Sequence, residues 1–159
     1  MKQREVIEFL REDHRVLWNV VGELKESQIE GEAVLGEWNV RDIIVHVTAW
    51  HWEIIAAVER LLEDNPPWVF VDGEDEFNRR KIEDKRKVPI ERIMVEWHDA
   101  YYALIRRIED LSDEEWAHSL HGKWENGSPI SVQSLFEYRY RGKGHEGGHA
   151  LQIKEHFSV

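Results

Sequence analysis

Asn39-Val40-Arg41-Asp42-Ile43-Ile44-Val45-His46-Val47-Thr48-Ala49-Trp50 opens the stretch on which the fold turns. Asn39 is a good N-cap residue, and Asp42 three positions on makes an approximate capping box, so a helix starts here. Apolar residues recur at Val40, Ile43, Ile44, Val47, Trp50, Ile54, Ile55, Val58, Leu61 and Leu62, the three-and-four spacing of one helix face. Pro66-Pro67 forbids continuation, so the helix ends near Leu62.

The same periodicity appears three more times. Lys2 to Glu26 places Val6, Phe9, Leu10, Leu17, Val20, Val21 and Leu24 on one broad stripe. A third helix starts near Pro89, a favourable first-turn residue, and carries Ile93, Met94, Trp97, Tyr101, Leu104, Ile105, Ile108 and Leu111. A fourth is expected from Ser131 as N-cap, through Leu135 and Phe136 to Leu151 and Ile153. Roughly 25 residues separate the second and third helices, too many for a tight turn, with a short helical piece around Asp75 to Lys85. No segment carries a sustained strand alternation. The pattern predicts an all-α four-helix bundle with a long helix 2–helix 3 crossover, one domain over residues 1–159.

Composition narrows the chemistry. The 159 residues contain no cysteine, which removes disulfides, thiolate metal ligands and a cysteine nucleophile, so thiol chemistry requires a borrowed thiol. Lys+Arg 21 against Asp+Glu 32 leaves a net charge of −11, which argues against nucleic acid as a partner. The basic runs Arg79-Arg80-Lys81 and Lys85-Arg86-Lys87 lie among acidic residues and read as a solvated face. The N-terminus shows no apolar secretion segment, and no apolar run is long enough to span a bilayer. A soluble, cytoplasmic protein with a small-molecule substrate is expected.

His145-Glu146-Gly147-Gly148-His149 is the most informative short stretch. Histidines four apart on a helix differ by about 40° around the axis and about 6 Å along it, so both imidazoles can reach one ion. The alternative is a pair of histidines at a core edge. Gly142, Gly144, Gly147 and Gly148 would together cost a helix on the order of 3 to 4 kcal/mol relative to alanine. Either a close neighbour or a ligand demands them, or they break the helix near Gly142. His46 falls on an apolar face, where a satisfied core histidine is the commoner outcome. In a bundle, however, one inward histidine on helix two can meet two on helix four, leaving an open coordination position. His-Glu-x-x-His also matches a zinc-protease string, but the ten residues after His149 leave no room for its third ligand. Glu146 is left as a base beside a metal or a solvent-facing residue, and His14, His51 and His98 read as core histidines.

Glu37 to Trp50 resembles the Trp-x-Val-x-Asp-x-x-x-His-x-x-x-Trp signature of the DinB-like superfamily. His145-x-x-x-His149-Ala150-x-Gln152-Ile153 is similar to its closing His-x-x-x-His-x-x-Gln-Ile motif, and Gly127 to Val132 sits where that family introduces its last helix. The resemblance implies an up-down-down-up bundle with a divalent metal held by His46, His145 and His149; on donor chemistry zinc or nickel is expected, with Glu146 as the candidate catalytic base. It also implies a thiol-dependent S-transferase or a hydrolase, a low-molecular-weight thiol as cofactor, and a homodimer. A non-catalytic sequestration module is the alternative. Trp68 and Phe77-Asn78 resemble a branch that detoxifies cyclopropane-bearing genotoxins without relying on the three histidines.

Overall fold

The computed structural model describes residues 1–159. Its helices are α1 (Gln3–Gly22), α2 (Glu26–Ile29), α3 (Val40–Leu62), α4 (Glu74–Asp84), α5 (Ile90–Glu109), α6 (Asp113–Trp116) and α7 (His145–Phe157). A two-stranded antiparallel hairpin, β1 (Ser119–Lys123) and β2 (Pro129–Ser131), and a 3-10 turn (Gln133–Phe136) precede α7. The long helices α1, α3, α5 and α7 form the bundle, with α3 packed most extensively on α5 and α1 on α7. No helix is long and apolar enough to cross a membrane.

Local signals explain the starts. The Asn39 side chain accepts from the Asp42 N–H at 2.9 Å while Asp42 returns a bond to the Asn39 N–H, a complete capping box. The crossover helix α4 lies against α3. Its attachment includes Arg41, buried on α3, whose guanidinium donates to the carbonyls of Lys85 (2.6 Å) and Val88.

Two apolar clusters fill the interior. One contains Leu17, Val21, Ile43, Ile44, Val47, Ile93, Trp97 and Ile153, the other Val6, Val58, Leu61, Leu104, Ile108, Trp116 and Phe136. On α1, α3 and α5 the two sets are separated in sequence, with buried Asp13 and His14 in the gap on α1 and His51 in the gap on α3; α7 contributes to one set only, and buried Glu146 precedes its members.

The fourth helix is shorter than its periodicity predicts. Ser131 Oγ accepts the Ser134 N–H beside a 3-10 turn only, and α7 begins at His145. Arg141 (φ 50°) and Gly142 (φ 78°) adopt left-handed backbone, which interrupts any helix through this segment. The hairpin was not foreseen: its strands are short and mostly exposed, and its signal is Asn126-Gly127 at the turn, with Gly127 at φ 83°.

Gly147 packs directly against Asp13 of α1. Its N–H donates to Asp13 Oδ2 at 3.2 Å, and a Cβ there would lie 2.3 Å from Asp13 Oδ1. Gly147→Ala should therefore destabilise the protein by about 1 to 3 kcal/mol, despite alanine's better helix propensity. Urea unfolding measures this, and an unchanged or raised midpoint contradicts it.

Candidate metal centre

Three imidazoles meet where α3 faces the first turns of α7. His46 Nε2 lies 2.8 Å from His145 Nε2, and the ring centroids are 4.7 Å (His46–His145), 5.3 Å (His46–His149) and 4.8 Å (His145–His149) apart. One ligand atom from each falls within 4.8 Å of the others. The i,i+4 spacing on α7 brings His145 and His149 onto one face, as their geometry requires. His46 and His149 are buried and His145 partly so.

Outer-sphere hydrogen bonds set the tautomers. Asn78 Oδ1, on α4, accepts from Trp50 Nε1 at 2.7 Å; an indole N–H only donates, so this contact fixes the amide oxygen's orientation. The same oxygen lies 3.1 Å from His46 Nδ1, which must therefore carry the proton and leave the Nε2 lone pair free. His149 Nδ1 lies 2.7 Å from Gln152 Oε1, three residues on, which directs its Nε2 lone pair in the same way.

Charge is disfavoured throughout the triad. Burial, reinforced by His149, pushes His46 down to about 3 even though Asn78 favours its charged form. Burial and then the two neighbouring imidazoles hold His145 well below the ordinary range, and burial lowers His149. With His46 Nδ1 protonated, its Nε2 accepts from His145 Nε2–H at 2.8 Å; neutral imidazoles with converging ring nitrogens are the ligand form that a divalent ion takes in exchange for that proton, so the residues present fit such an ion. Aromatic rings screen the α3 side: Trp38 and Trp50 lie 4.7 Å and 6.3 Å from His46, and Trp68, Phe70 and Phe77 surround Trp50.

Glu146 does something else. It is about 100° further round α7 than His145 and turns into the bundle, where it is 4% exposed, so it is not a solvent-facing residue. Its carboxylate lies 2.8 Å from His14 Nδ1, 2.7 Å from His51 Nε2 and 2.6 Å from Trp97 Nε1. An ionised carboxylate only accepts, so all three nitrogens facing it are donors. Burial alone would raise its pKa, but the bonds from His14 and His51 outweigh it and hold it at about 2. With its oxygens accepting from three donors, Glu146 ties α7 to the other three long helices.

Of the other histidines, His14 and His51 are buried as expected, whereas His98 is exposed and edges against Trp18 and Tyr102. Sequence reasoning missed the roles of Asn78 and Gln152; the i,i+3 spacing of His149 and Gln152 was the available signal.

Residues 10–137 match the family model described as mycothiol maleylpyruvate isomerase N-terminal domain, a span that includes His46 and ends before α7. The fold is similar to a crystal structure of the mycothiol-dependent maleylpyruvate isomerase, with TM-score 0.76 and 14% identity over 96% of this chain. This chain spans 61% of that isomerase's length. An uncharacterised protein from Escherichia coli UTI89 is similar with TM-score 0.70 and 11% identity, over 99% of this chain and 93% of that one. The colibactin self-resistance protein ClbS, in complex with a dsDNA, has TM-score 0.71 and 10% identity, over 99% of this chain and 96% of that one. No curated protein matches. Because one fold neighbour is solved with DNA, the absence of a nucleic-acid partner expected from net charge is not supported by the fold.

Two predictions follow from the site's electrostatics. A histidine kept neutral by the fold but free to protonate when unfolded loses stability for the protein as pH falls from its ordinary 6.5 toward its native value. The slope is about 1.4 kcal/mol per pH unit for each such histidine. Thermal unfolding in excess chelator should show melting temperature dropping steeply below pH 6.5, with His46 contributing down to about 3. Glu146 acts in a lower window, its contribution present above 4.5 and lost toward about 2. A flat profile from pH 6.5 to about pH 5 contradicts the neutral triad. Glu146→Gln, which places an N–H₂ among three donors, should cost about 3 to 5 kcal/mol in urea unfolding, and a loss below about 1 kcal/mol contradicts the clamp.

Proposed function

The chain belongs to the mycothiol maleylpyruvate isomerase N-terminal domain family, within the DinB-like superfamily, and on that footing we propose that it is a metal-dependent enzyme acting on a small electrophile through a His46/His145/His149 centre. The observation that carries the reading is the donor set itself: three neutral imidazoles with converging nitrogens, two of them oriented by side-chain amides. A divalent ion such as zinc or nickel, bound there, supplies Lewis acidity to activate a thiol or water.

The protein's own residues do the rest. Asn78 and Gln152 keep the inner nitrogens of His46 and His149 unprotonated. Trp38, Trp50, Trp68, Phe70 and Phe77 form an apolar wall on the α3 side that excludes water and suits a flat or apolar substrate. Thiol activation is favoured over hydrolysis because the matching family model and a fold neighbour are both described in terms of mycothiol. A second reading, resistance to a reactive genotoxin, is favoured by the ClbS likeness together with the aromatic wall. Both share the centre's position and differ in whether the ion is required.

Metal analysis of untagged protein should find one zinc or nickel per chain, released by chelator, and His149→Ala should abolish both the ion and turnover in a screen of low-molecular-weight thiols against model electrophiles. Turnover that survives chelation and His149→Ala removes the metal mechanism and leaves the metal-independent reading.

A further inference from the structure

α4 is the least apolar of the longer helices, and only Asn78 and Ile82 of its eleven residues are buried. It belongs to the crossover rather than to the bundle, and Gly73 (φ 87°) turns the chain into it. Ile82 joins an apolar cluster, as a surface helix's anchor does. Asn78 is different, because a buried amide on a polar helix costs stability unless its oxygen is used. It is used twice, by His46 Nδ1–H at 3.1 Å and Trp50 Nε1–H at 2.7 Å. Trp50 is one turn beyond His46 on α3, so the single oxygen grips both the imidazole and the ring next to it.

We propose that Asn78 is the positioning residue of the centre, fixing the His46 tautomer and ring orientation from outside the bundle, so that ion binding at the triad and docking of α4 onto α3 strengthen each other. The proposal rests on the metal reading above. The physical route is short. Without an acceptor at this place, His46 is free to carry its proton on Nε2, the nitrogen that faces His145, and to rotate about its side-chain bonds; binding an ion then has to reverse both. Reciprocity follows from linkage: if the Asn78 bond favours the ion, the ion favours the Asn78 bond and the helix that carries it.

The test uses zinc itself, titrated in competition with a chromophoric chelator against wild-type protein, Asn78→Leu and Asn78→Asp. Leucine is close in volume but has no acceptor, and should weaken zinc binding by about 10- to 100-fold. Aspartate keeps an oxygen for both N–H groups and should bind zinc as tightly as wild type or tighter, a rescue that packing alone does not provide. Hydrogen exchange on wild type needs no variant: zinc should slow exchange of the α4 amides, residues 74–84, and this slowing should be lost in Asn78→Leu. Equal zinc affinity in wild type and Asn78→Leu, or α4 exchange indifferent to zinc, overturns this proposal alone. Wild-type protein that takes up no zinc overturns it together with the metal reading.

Discussion

A carboxylate placed in a protein interior must be surrounded by donors or give up its charge. Glu146 is surrounded, and its donors come one from each of the other long helices: His14 from α1, His51 from α3 and Trp97 from α5. Four helices therefore converge on two oxygen atoms. Apolar packing alone tolerates sliding of one helix along another, whereas three short bonds to one carboxylate fix the height and rotation of α7 together. The Asp13 carboxylate, receiving the Gly147 N–H one residue further, fixes the same helix against α1.

What this constraint serves lies on the adjacent face. Once Glu146 is locked inward, His145 and His149 have to point toward α3, where His46 waits on a face that its capping box and apolar spacing have already oriented. The helix thus separates two chemistries that its sequence interleaves: an anion saturated with donors, and a neutral cluster of converging ring nitrogens. Gathering three imidazoles in the interior costs stability, because burial strips them of water. In the proposed function an ion offsets that cost, and the glycines at 144 and 147 supply the space that lets α7 come close enough to α1 for both arrangements to exist.

Much of this was legible in the residues. Periodicity located α1, α3 and α5, and the pairing of His46 with His145 and His149 followed from i,i+4 spacing plus one inward histidine. The start of α7 was half legible: Ser131 pointed to an early start, while the glycine run offered a break near Gly142, and left-handed backbone at Arg141 and Gly142 makes that break. Nor was the role of Glu146: spacing gives its angle from His145, but only the tertiary arrangement decides that this direction is the centre of the bundle. His14, His51 and Trp97 are 132, 95 and 49 residues away from it, and no local pattern reports such contacts. Asn78 was noted with Phe77 only as a resemblance; its contacts to His46 and Trp50 were hidden for the same reason, because it sits in a crossover whose composition reads as solvated.

In the proposed function α7, held by Glu146, delivers two histidines to a third, and together they form the inner sphere of a divalent ion. X-ray absorption at the zinc edge on zinc-loaded protein tests it most directly. The account predicts three imidazole nitrogens at about 2.0 to 2.1 Å, one further light atom from outside the chain and no protein carboxylate. A shell with fewer than three imidazoles, or one containing the Glu146 carboxylate, would contradict it.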